Sequence, residues 1–587
     1  MSWLTARDLH CLACCSSASY KICAITLCQL CQERTWTPEL LRKCNVNLAH
    51  VRKIERVYMK CDLLSLTPNL THLTLGDECN FNQPLRPGDL PPNLTHLTLG
   101  DSFNQPLIRN ALPNSITNLT FGVGFNQLLR PGDLPPNLTH LTLGDSFDQP
   151  LIPDARPNSI TNLTFGVRFD RLLRPGDLPP NLTYLTLGDW FDQPLRPGDL
   201  PPNLTHLTLG DWFGQPLIRD VLPNSITNLT FGVRFDQPLG LDVLPRNLTH
   251  LTLGEEFNQP LVHGVLPPSL THITFSHGFD QPLGPGVLPR NLTHLTFGDE
   301  FDRPLSPGVF PTSLTHLTFS HRFNQALDPD VLPANITHLT FGDHFNRPLC
   351  SGALPRNLTH LKFGAGFHQS LVRGVLSANI THLTFGYDFD QPLEPDVLPD
   401  SITHLTFGFS FDQSLLSGVL PRHLTHLTFG QKFNQMLDTD VLPRHLTHLM
   451  FGTHFNQPLG PDVLPPNLDH LTFGLRFNQP LGPGVLPQNL TYLTFDNDFD
   501  QPLAPGVLPH TVTHLILGRG FQHRLSSENL PPSLTHLRIG DYFNQSFAPG
   551  DAPPNLTRII MSHHWQELRT LWSLYLDSPP PSPLVWP

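Results

Sequence analysis

Apolar residues recur along this chain at a fixed interval. An apolar anchor, nearly always leucine, lies at Leu73 and Leu97 and then at every twenty-second position as far as Ile559, which makes 23 units. Only the first interval differs, being two positions longer than the others. A period of about 20 to 29 residues is typical of stacked repeats, because a single unit of that size cannot cover its own apolar side chains.

Each unit contains one short run in which apolar and polar residues alternate. In NLTHLTFGDEFDRPL, which starts at residue 291, Leu295 and Phe297 alternate with His294 and Thr296. Alternation with a period of two is typical of a strand with one buried face. The pattern therefore predicts that the leucine and the phenylalanine point inward and that the histidine and the threonine point outward.

The rest of the unit predicts an irregular return path. Phe301 and Leu305 are further apolar residues that we expect to point inward, and Pro304 interrupts any helical pattern. The residue after the second phenylalanine, here Asp302, is mostly Asn or Asp, which can bond the backbone of a turn. The predicted fold is mainly β: a parallel-strand, leucine-rich-repeat-like solenoid of about 23 units of about 22 residues over residues 66–562, with the strands on its concave face.

The repeated phrases identify a family. FNQPL occurs at 81–85, 103–107, 257–261, 455–459 and 477–481, and close variants of LPxxLTHLTF precede the later copies. This pattern closely resembles the FNIP repeat, a relative of the leucine-rich repeat known from social amoebae and from large viruses that infect amoebae. The resemblance covers about residues 66–562 and implies a binding solenoid without specifying a ligand.

The position before the anchor forms a column of candidate binding residues. It holds His in 17 units, Asn in three, Tyr in two and Arg in one. Three interpretations remain open: the imidazoles chelate a transition metal, they form a recognition surface for a protein partner, or they are ladder residues copied along with the repeat. The candidate partner-binding residues on the concave face are His206, His250, His272, His294, His316, His338, His360, His382, His404 and His426.

Residues 1–50 do not fit the repeat and are expected to form a small α-helical module, followed by a capping strand over residues 51–65. The segment LTARDLHCLACCSSASYKIC, which starts at residue 4, resembles the second half of a degenerate F-box. An F-box is a helical module that docks on a Skp-family adaptor of a cullin-type ubiquitin ligase. The resemblance places Leu4, Asp8, Leu9 and Leu12 in or near that interface.

The same segment has two other interpretations. Cys11 and Cys14 form one pair with zinc-site spacing, and Cys28 and Cys31 form a second pair further along the chain. The flanking residues are apolar, however, and a buried cysteine often serves as a small apolar residue. The module is therefore an F-box-like domain, a zinc site or a plain helical cap.

The C-terminal end carries a second predicted helix. Trp565, Leu568, Leu571 and Trp572 lie at helical spacing, so residues 563–576 are expected to cap the last repeat. Residues 577–587 are rich in proline and are expected to form a disordered tail.

Composition and charge narrow the function classes. The net charge of the 587 residues is −13, and no basic stripe is present, so nucleic acid is not an expected partner. No apolar run long enough to span a membrane and no signal peptide is recognisable, which predicts an intracellular, cytoplasmic protein without membrane contact, in the host cytoplasm if the protein is viral. No phosphate loop or nucleophile motif is present, so we expect neither an enzyme nor a cofactor.

These observations predict a protein–protein interaction solenoid that acts as the substrate-recruiting subunit of a cullin-type ubiquitin ligase and is a monomer outside that complex. The alternatives are an interaction scaffold without a ligase link and, more remotely, a metal-binding histidine ladder. Protonation of all 31 histidines would change the formal charge from −13 to −13 + 31 = +18, so we expect the solenoid to loosen below about pH 5.5.

Overall fold

The computed structural model describes residues 53–57, 68–75, 80–547 and 549–560. The chain divides into two units, Met1–Ser276 and His277–Pro587, here called the first and second units. The predicted N-terminal module, the C-terminal helix over 563–576 and the tail lie outside the described residues. No α-helix is present within these ranges, and none of their elements has the length and apolarity to cross a membrane.

The first unit contains a parallel β-sheet whose strands follow the predicted anchors. Each strand pairs in parallel with the next one along the chain, and the partners lie one repeat period apart from β3 onward. β1 pairs in parallel with β2 with a shift in register. The strands are β1 Lys53–Val57, β2 His72–Leu75, β3 His96–Thr98, β4 Asn118–Thr120, β5 His140–Thr142, β6 Asn162–Thr164, β7 Tyr184–Thr186, β8 His206–Thr208, β9 Asn228–Thr230, β10 His250–Thr252 and β11 His272–Thr274.

The second unit repeats this arrangement, again with parallel partners one repeat period apart. Its strands are β12 His294–Thr296, β13 His316–Thr318, β14 His338–Thr340, β15 His360–Lys362, β16 His382–Thr384, β17 His404–Thr406, β18 His426–Thr428, β19 His448–Met450, β20 His470–Thr472, β21 Tyr492–Thr494, β22 His514–Leu517, β23 His536–Ile539 and β24 Arg558–Ile560. The prediction of a parallel, leucine-rich-repeat-like solenoid is confirmed.

The core consists of columns of equivalent side chains. In the repeat that contains β12, Leu295, Phe297, Phe301 and Leu305 are all buried, as the alternation predicts. The residues before the next proline, here Val309 and Phe310, are also buried, although the sequence analysis did not assign them. Each fully buried large apolar side chain contributes about 1.5–3 kcal/mol, and stacking turns removes the open ends of these columns from water.

Within the described residues the return paths are turns and bends, with short 3₁₀ helices at Pro153–Ala155 and Pro549–Asp551. One position in the turn before the next strand has a positive φ, which explains its composition. Gly308 has φ +86° there, and Asp330 has φ +66° in the following turn. Glycine adopts this left-handed conformation without a Cβ penalty, and Asn and Asp tolerate it. This position accordingly holds Gly, Asp or Asn in successive turns.

The Asn/Asp position after the second phenylalanine connects successive turns. Oδ1 of Asp302 accepts the backbone N–H of Asn324 at 2.8 Å and the side-chain N–H of Gln325 at 2.9 Å. The predicted bond within a single turn is therefore corrected, since the acceptor serves the next turn of the solenoid. Gly214 has no side-chain acceptor to pass on, although its own N–H still bonds Oδ1 of Asp192 at 3.0 Å.

Candidate binding face

The outward side of each sheet carries two columns of polar residues. In β13 the anchor Leu317 is buried, whereas His316 and Thr318 on either side of it are half-buried. We call the outward residues of the strands the sheet face. All ten histidines that the sequence analysis selected begin strands and lie on this face: His206, His250 and His272 in the first unit, and His294, His316, His338, His360, His382, His404 and His426 in the second.

At most histidines of this column, hydrogen bonds fix which ring nitrogen carries the proton. The Oγ1–H of Thr315 donates to the carbonyl oxygen of Thr293 at 3.1 Å. A hydroxyl has one proton, so Oγ1 of Thr315 can only accept from Nδ1–H of His316, 2.9 Å away. The same pair of bonds recurs at Thr337 with His338. At both positions the neutral ring therefore presents the lone pair of Nε2.

The rings stack on one another along the sheet. His316 and His338 have ring centroids 4.2 Å apart with an interplanar angle of 12°, and His338 and His360 have centroids 4.1 Å apart. Stacks of this kind run from His294 to His470 in the second unit, where Tyr492 continues them. In the first unit Asn118, Asn162 and Asn228 interrupt the column.

Burial and mutual repulsion make these rings harder to protonate. Desolvation and then the charge of neighbouring histidines lower the pKa of His360 and His404 below the ordinary value. At His448 the same two effects outweigh the opposing influence of Asp469. The pKa is also lowered at His96, His206, His338, His426 and His514, with desolvation as the largest cause. At these eight positions, burial and neighbouring imidazoles therefore favour the neutral ring, which can accept a hydrogen bond.

This geometry does not suit a chelating metal site. Corresponding Nε2 atoms of two near-parallel rings are separated by about the distance between the ring centroids, 4.2 Å for His294 and His316. A zinc ion bound at about 2.0–2.1 Å from both would have to lie midway between them, whereas the lone pairs point side by side. The part of the chain that the structure describes contains no group of three or more His, Cys, Asp or Glu residues that could hold a metal ion.

The N-terminal candidates cannot be placed on the fold. The four residues assigned to the adaptor interface and the four cysteines of the possible zinc site lie outside the described residues: Leu4, Asp8, Leu9, Leu12, Cys11, Cys14, Cys28 and Cys31. Their roles stay predictions.

An exposed aromatic cluster in the first unit was missed by the sequence analysis. Trp190 and Trp212 are each 48% exposed, and their ring centroids are 6.5 Å apart. The guanidinium of Arg168 lies 5.6 Å from the ring centroid of Trp190, and that of Arg234 lies 3.7 Å from the ring centroid of Trp212. The four residues occupy the same position of four successive repeats, so aligning the repeats would have revealed the cluster.

Comparison with known proteins agrees with the repeat pattern. The FNIP repeat family matches fourteen segments between residues 81 and 564, some of which overlap. The crystal structure of the giant-virus protein CroV588, described as a novel circular LRR protein, is similar to this chain at 44% sequence identity with a TM-score of 0.78. The match covers 85% of this chain and 76% of that one.

A more distant match is YopM from Yersinia enterocolitica WA-314, at 18% identity and a TM-score of 0.41, covering 93% of this chain and 100% of that one. A search of curated proteins found no significant match. Because the family match spans most of the chain and the viral relative is 44% identical over 85% of it, this chain belongs to the FNIP repeat family.

Proposed function

We propose that this protein is a non-enzymatic scaffold that holds a protein partner on its sheet face. The observation that carries the proposal is the histidine column, in which stacking and, at most positions, a threonine hydroxyl fix the ring and its tautomer. Repeat solenoids of the leucine-rich type suggest a role in protein–protein interaction, because their stacked strands create an extended surface. A partner that presents N–H and O–H donors at strand spacing complements the Nε2 acceptors.

Preorganisation favours binding at this face. The ring of His360 is held by Thr359 through Nδ1 at 2.9 Å and is stacked at 4.2 Å on His382. Immobilising a free side chain on binding costs about 0.5–1.5 kcal/mol, and a side chain that is already fixed avoids much of that cost.

The test uses partners captured by the full chain from a cell extract and mapped by cross-linking. Changing His360, His382 and His404 to Asn is expected to abolish capture of any partner that cross-links to the sheet face. Asn118 and Asn162 show that the strand accepts this residue. The matched control changes His423 and His445 to Asn, since these two histidines are exposed and lie outside the strands. Loss of the partner in both variants, or in neither, would contradict the proposal.

We propose further that residues 1–50 dock on a Skp-family adaptor, so that the protein recruits substrates to a cullin-type ubiquitin ligase in the cytoplasm. The support is the F-box resemblance of the segment that contains Leu4, Asp8, Leu9 and Leu12. Mixing the full chain with a purified Skp-family adaptor is expected to give a complex, and the double variant Leu9→Asp, Leu12→Asp is expected to lose it. If the unchanged chain does not bind the adaptor, the ligase link is wrong and the scaffold function remains.

A further inference from the structure

One turn of the second unit departs from the repeat at several adjacent positions. Lys362 stands on the sheet face where Thr340 and Thr384 occupy the neighbouring strands. Shortly after it, Ala365 and Gly366 occupy two positions that carry larger side chains in the turns on either side, such as Asp343 and Tyr387. Short side chains between longer ones leave a gap in the surface.

This gap is an open hollow of about 370 Å³ beside the sheet face. Its volume falls in the range of about 300–1,000 Å³ that is typical of ligand sites. Lys362 and Ala365 line it together with Tyr387 on one side and with His321 and Asp343 on the other. The hollow lies entirely within the second unit.

One wall of the hollow is aromatic. The ring of Tyr387 is 51% exposed and stacks on Phe409 with centroids 4.4 Å apart and an interplanar angle of 5°. The amine of Lys432 lies 5.7 Å from the ring centroid of Phe409, on the far side of the same column. Because this stack supports Tyr387, its ring offers a fixed surface on which a flat apolar group can pack.

The opposite wall is polar but internally satisfied. Oδ2 of Asp343 lies 3.1 Å from Nδ1 of His321, and Oδ1 of Asp343 accepts the backbone N–H of Ala365 at 3.0 Å. These two contacts satisfy part of the hydrogen-bonding capacity of the Asp343 carboxylate. The remaining charged group of the lining is the ammonium of Lys362, which forms no ion pair with any carboxylate in the described ranges.

We infer that this hollow binds an aromatic carboxylate, with the aromatic group packed on Tyr387 and the carboxylate paired with Lys362. The assignment goes beyond the proposed function and does not depend on it, because the site can be tested with small probes that do not require the histidine column. The same chemistry is available from a free aromatic acid or from a polypeptide that ends in an aromatic residue.

The first experiment measures binding of phenylacetate to the full chain by saturation-transfer NMR and calorimetry. We expect a dissociation constant on the order of 1–10 mM, as is usual for so small a ligand. Phenylacetamide, which keeps the ring and lacks the charge, is expected to bind about two- to fivefold more weakly, because an exposed ion pair contributes modestly. Absence of phenylacetate binding at tens of millimolar, or equal binding of both probes, would overturn the inference.

Two variants locate the site. Lys362→Thr restores the residue of the neighbouring strands, so it preserves the fold, and it is expected to reduce phenylacetate binding to the level of phenylacetamide. Ala365→Phe fills the hollow with the residue that position 409 carries, and it is expected to abolish binding of both probes. The control is Thr453→Phe, which introduces the same residue at the equivalent position of a distant turn. It removes the hydrogen bond from Thr453 to Gln431 but should bind the probes like the unchanged chain. Binding that survives both Lys362→Thr and Ala365→Phe would place the probe elsewhere and refute the site.

The source of the carboxylate is separated with the peptide N-acetyl-Gly-Gly-Phe. Tighter binding of this peptide than of phenylacetate, with the same loss in Lys362→Thr, would identify a polypeptide C-terminus as the ligand. Weaker binding would identify a free aromatic acid.

Discussion

The two units have the same strands and register but differ in the side chains that stack along them. In the second unit the buried residue two positions after the anchor is Phe in every repeat from Phe297 to Phe495. The ring centroids of neighbouring phenylalanines in this column lie 5.2–6.1 Å apart. In the first unit that position alternates irregularly between Leu and Phe. The histidine column is likewise uninterrupted from β12 to β20 and broken in the first unit.

This comparison shows that the backbone of the repeat tolerates either ladder. The anchor leucines and the Asn/Asp bonds set the stacking of turns, because they recur in both units. The phenylalanine and histidine columns differ between the two units. We therefore expect the units to differ in local stability and in the dependence of that stability on pH. Each of the following changes alters one of these features in one unit.

The largest expected effect is from the phenylalanine column. Phe407 is buried and stacks on Phe411 at 3.9 Å and on Phe429 at 5.9 Å. We expect Phe407→Ala to cost about 3–5 kcal/mol of local stability, since it leaves a cavity and breaks aromatic pairs. Leu187→Ala, at the equivalent buried position of the first unit, should cost less by roughly 1 kcal/mol. Hydrogen exchange of β17 and β7 measures both, and a larger loss at β7 would contradict the role of the stack.

The next effect concerns the Asn/Asp bonds. Asp302→Ala removes the acceptor for Asn324 and Gln325, so we expect a loss of about 1–3 kcal/mol at β13. Asp302→Asn retains Oδ1 and serves as the control, since Asn324 fills the equivalent position of the following turn. The measurement is again hydrogen exchange, and equal exchange in the Ala and Asn variants would show that the side-chain acceptor does not stabilise the stack.

Acidification should distinguish the two units. The pKa of His338, His360 and His404 is lowered in the folded chain, so the unfolded chain binds protons first as the pH falls below about 6.5. Their contribution to stability is therefore present above that pH and is lost as the pH decreases through the folded pKa values. We expect the melting temperature to be lower at pH 5 than at pH 7.5, with greater loss of exchange protection in the second unit.

The variant that tests this prediction changes His338, His360 and His404 to Asn, as at β4, β6 and β9 of the first unit. It should show a smaller difference in melting temperature between pH 7.5 and pH 5 than the unchanged chain. Asp469 is left in place because its charge opposes the lowering of the pKa of His448, and this effect should stay the same in both chains. An identical difference in both chains would show that the column is not the pH-sensitive element.

The smallest effect is a gain in the first unit. Gly214 interrupts the column of Asn and Asp side chains that accept hydrogen bonds from the next turn. A Cβ added there would lie 3.8–3.9 Å from its nearest neighbours, which is ordinary van der Waals contact. Gly214→Asn supplies an acceptor for the next turn and lowers the entropy of the unfolded chain, so we expect a gain of about 1 kcal/mol. Gly214→Ala tests the entropy effect alone. Equal exchange at β9 in the two variants would show that the added acceptor contributes nothing.

Much of the fold followed from local patterns in the sequence. The alternation around His294 predicted which side chains of β12 are buried, and the repeat period predicted where every strand from β2 to β24 begins. The bonding of Asp302 was only partly predicted, because its partners lie in the next turn and a pattern within one unit does not reveal them. Trp190 and Trp212 were overlooked because their cluster appears only when successive repeats are aligned.

The sequence by itself determined the period, the strand in each turn and the residues that face the core, since these depend on alternation and on the residue types that turns accept. The tertiary structure alone decided the tautomer of histidines such as His316, the stacking of the rings at about 4.2 Å and the hollow between Lys362 and Tyr387. These features arise between residues of neighbouring repeats, which come into contact only when one turn packs on the next.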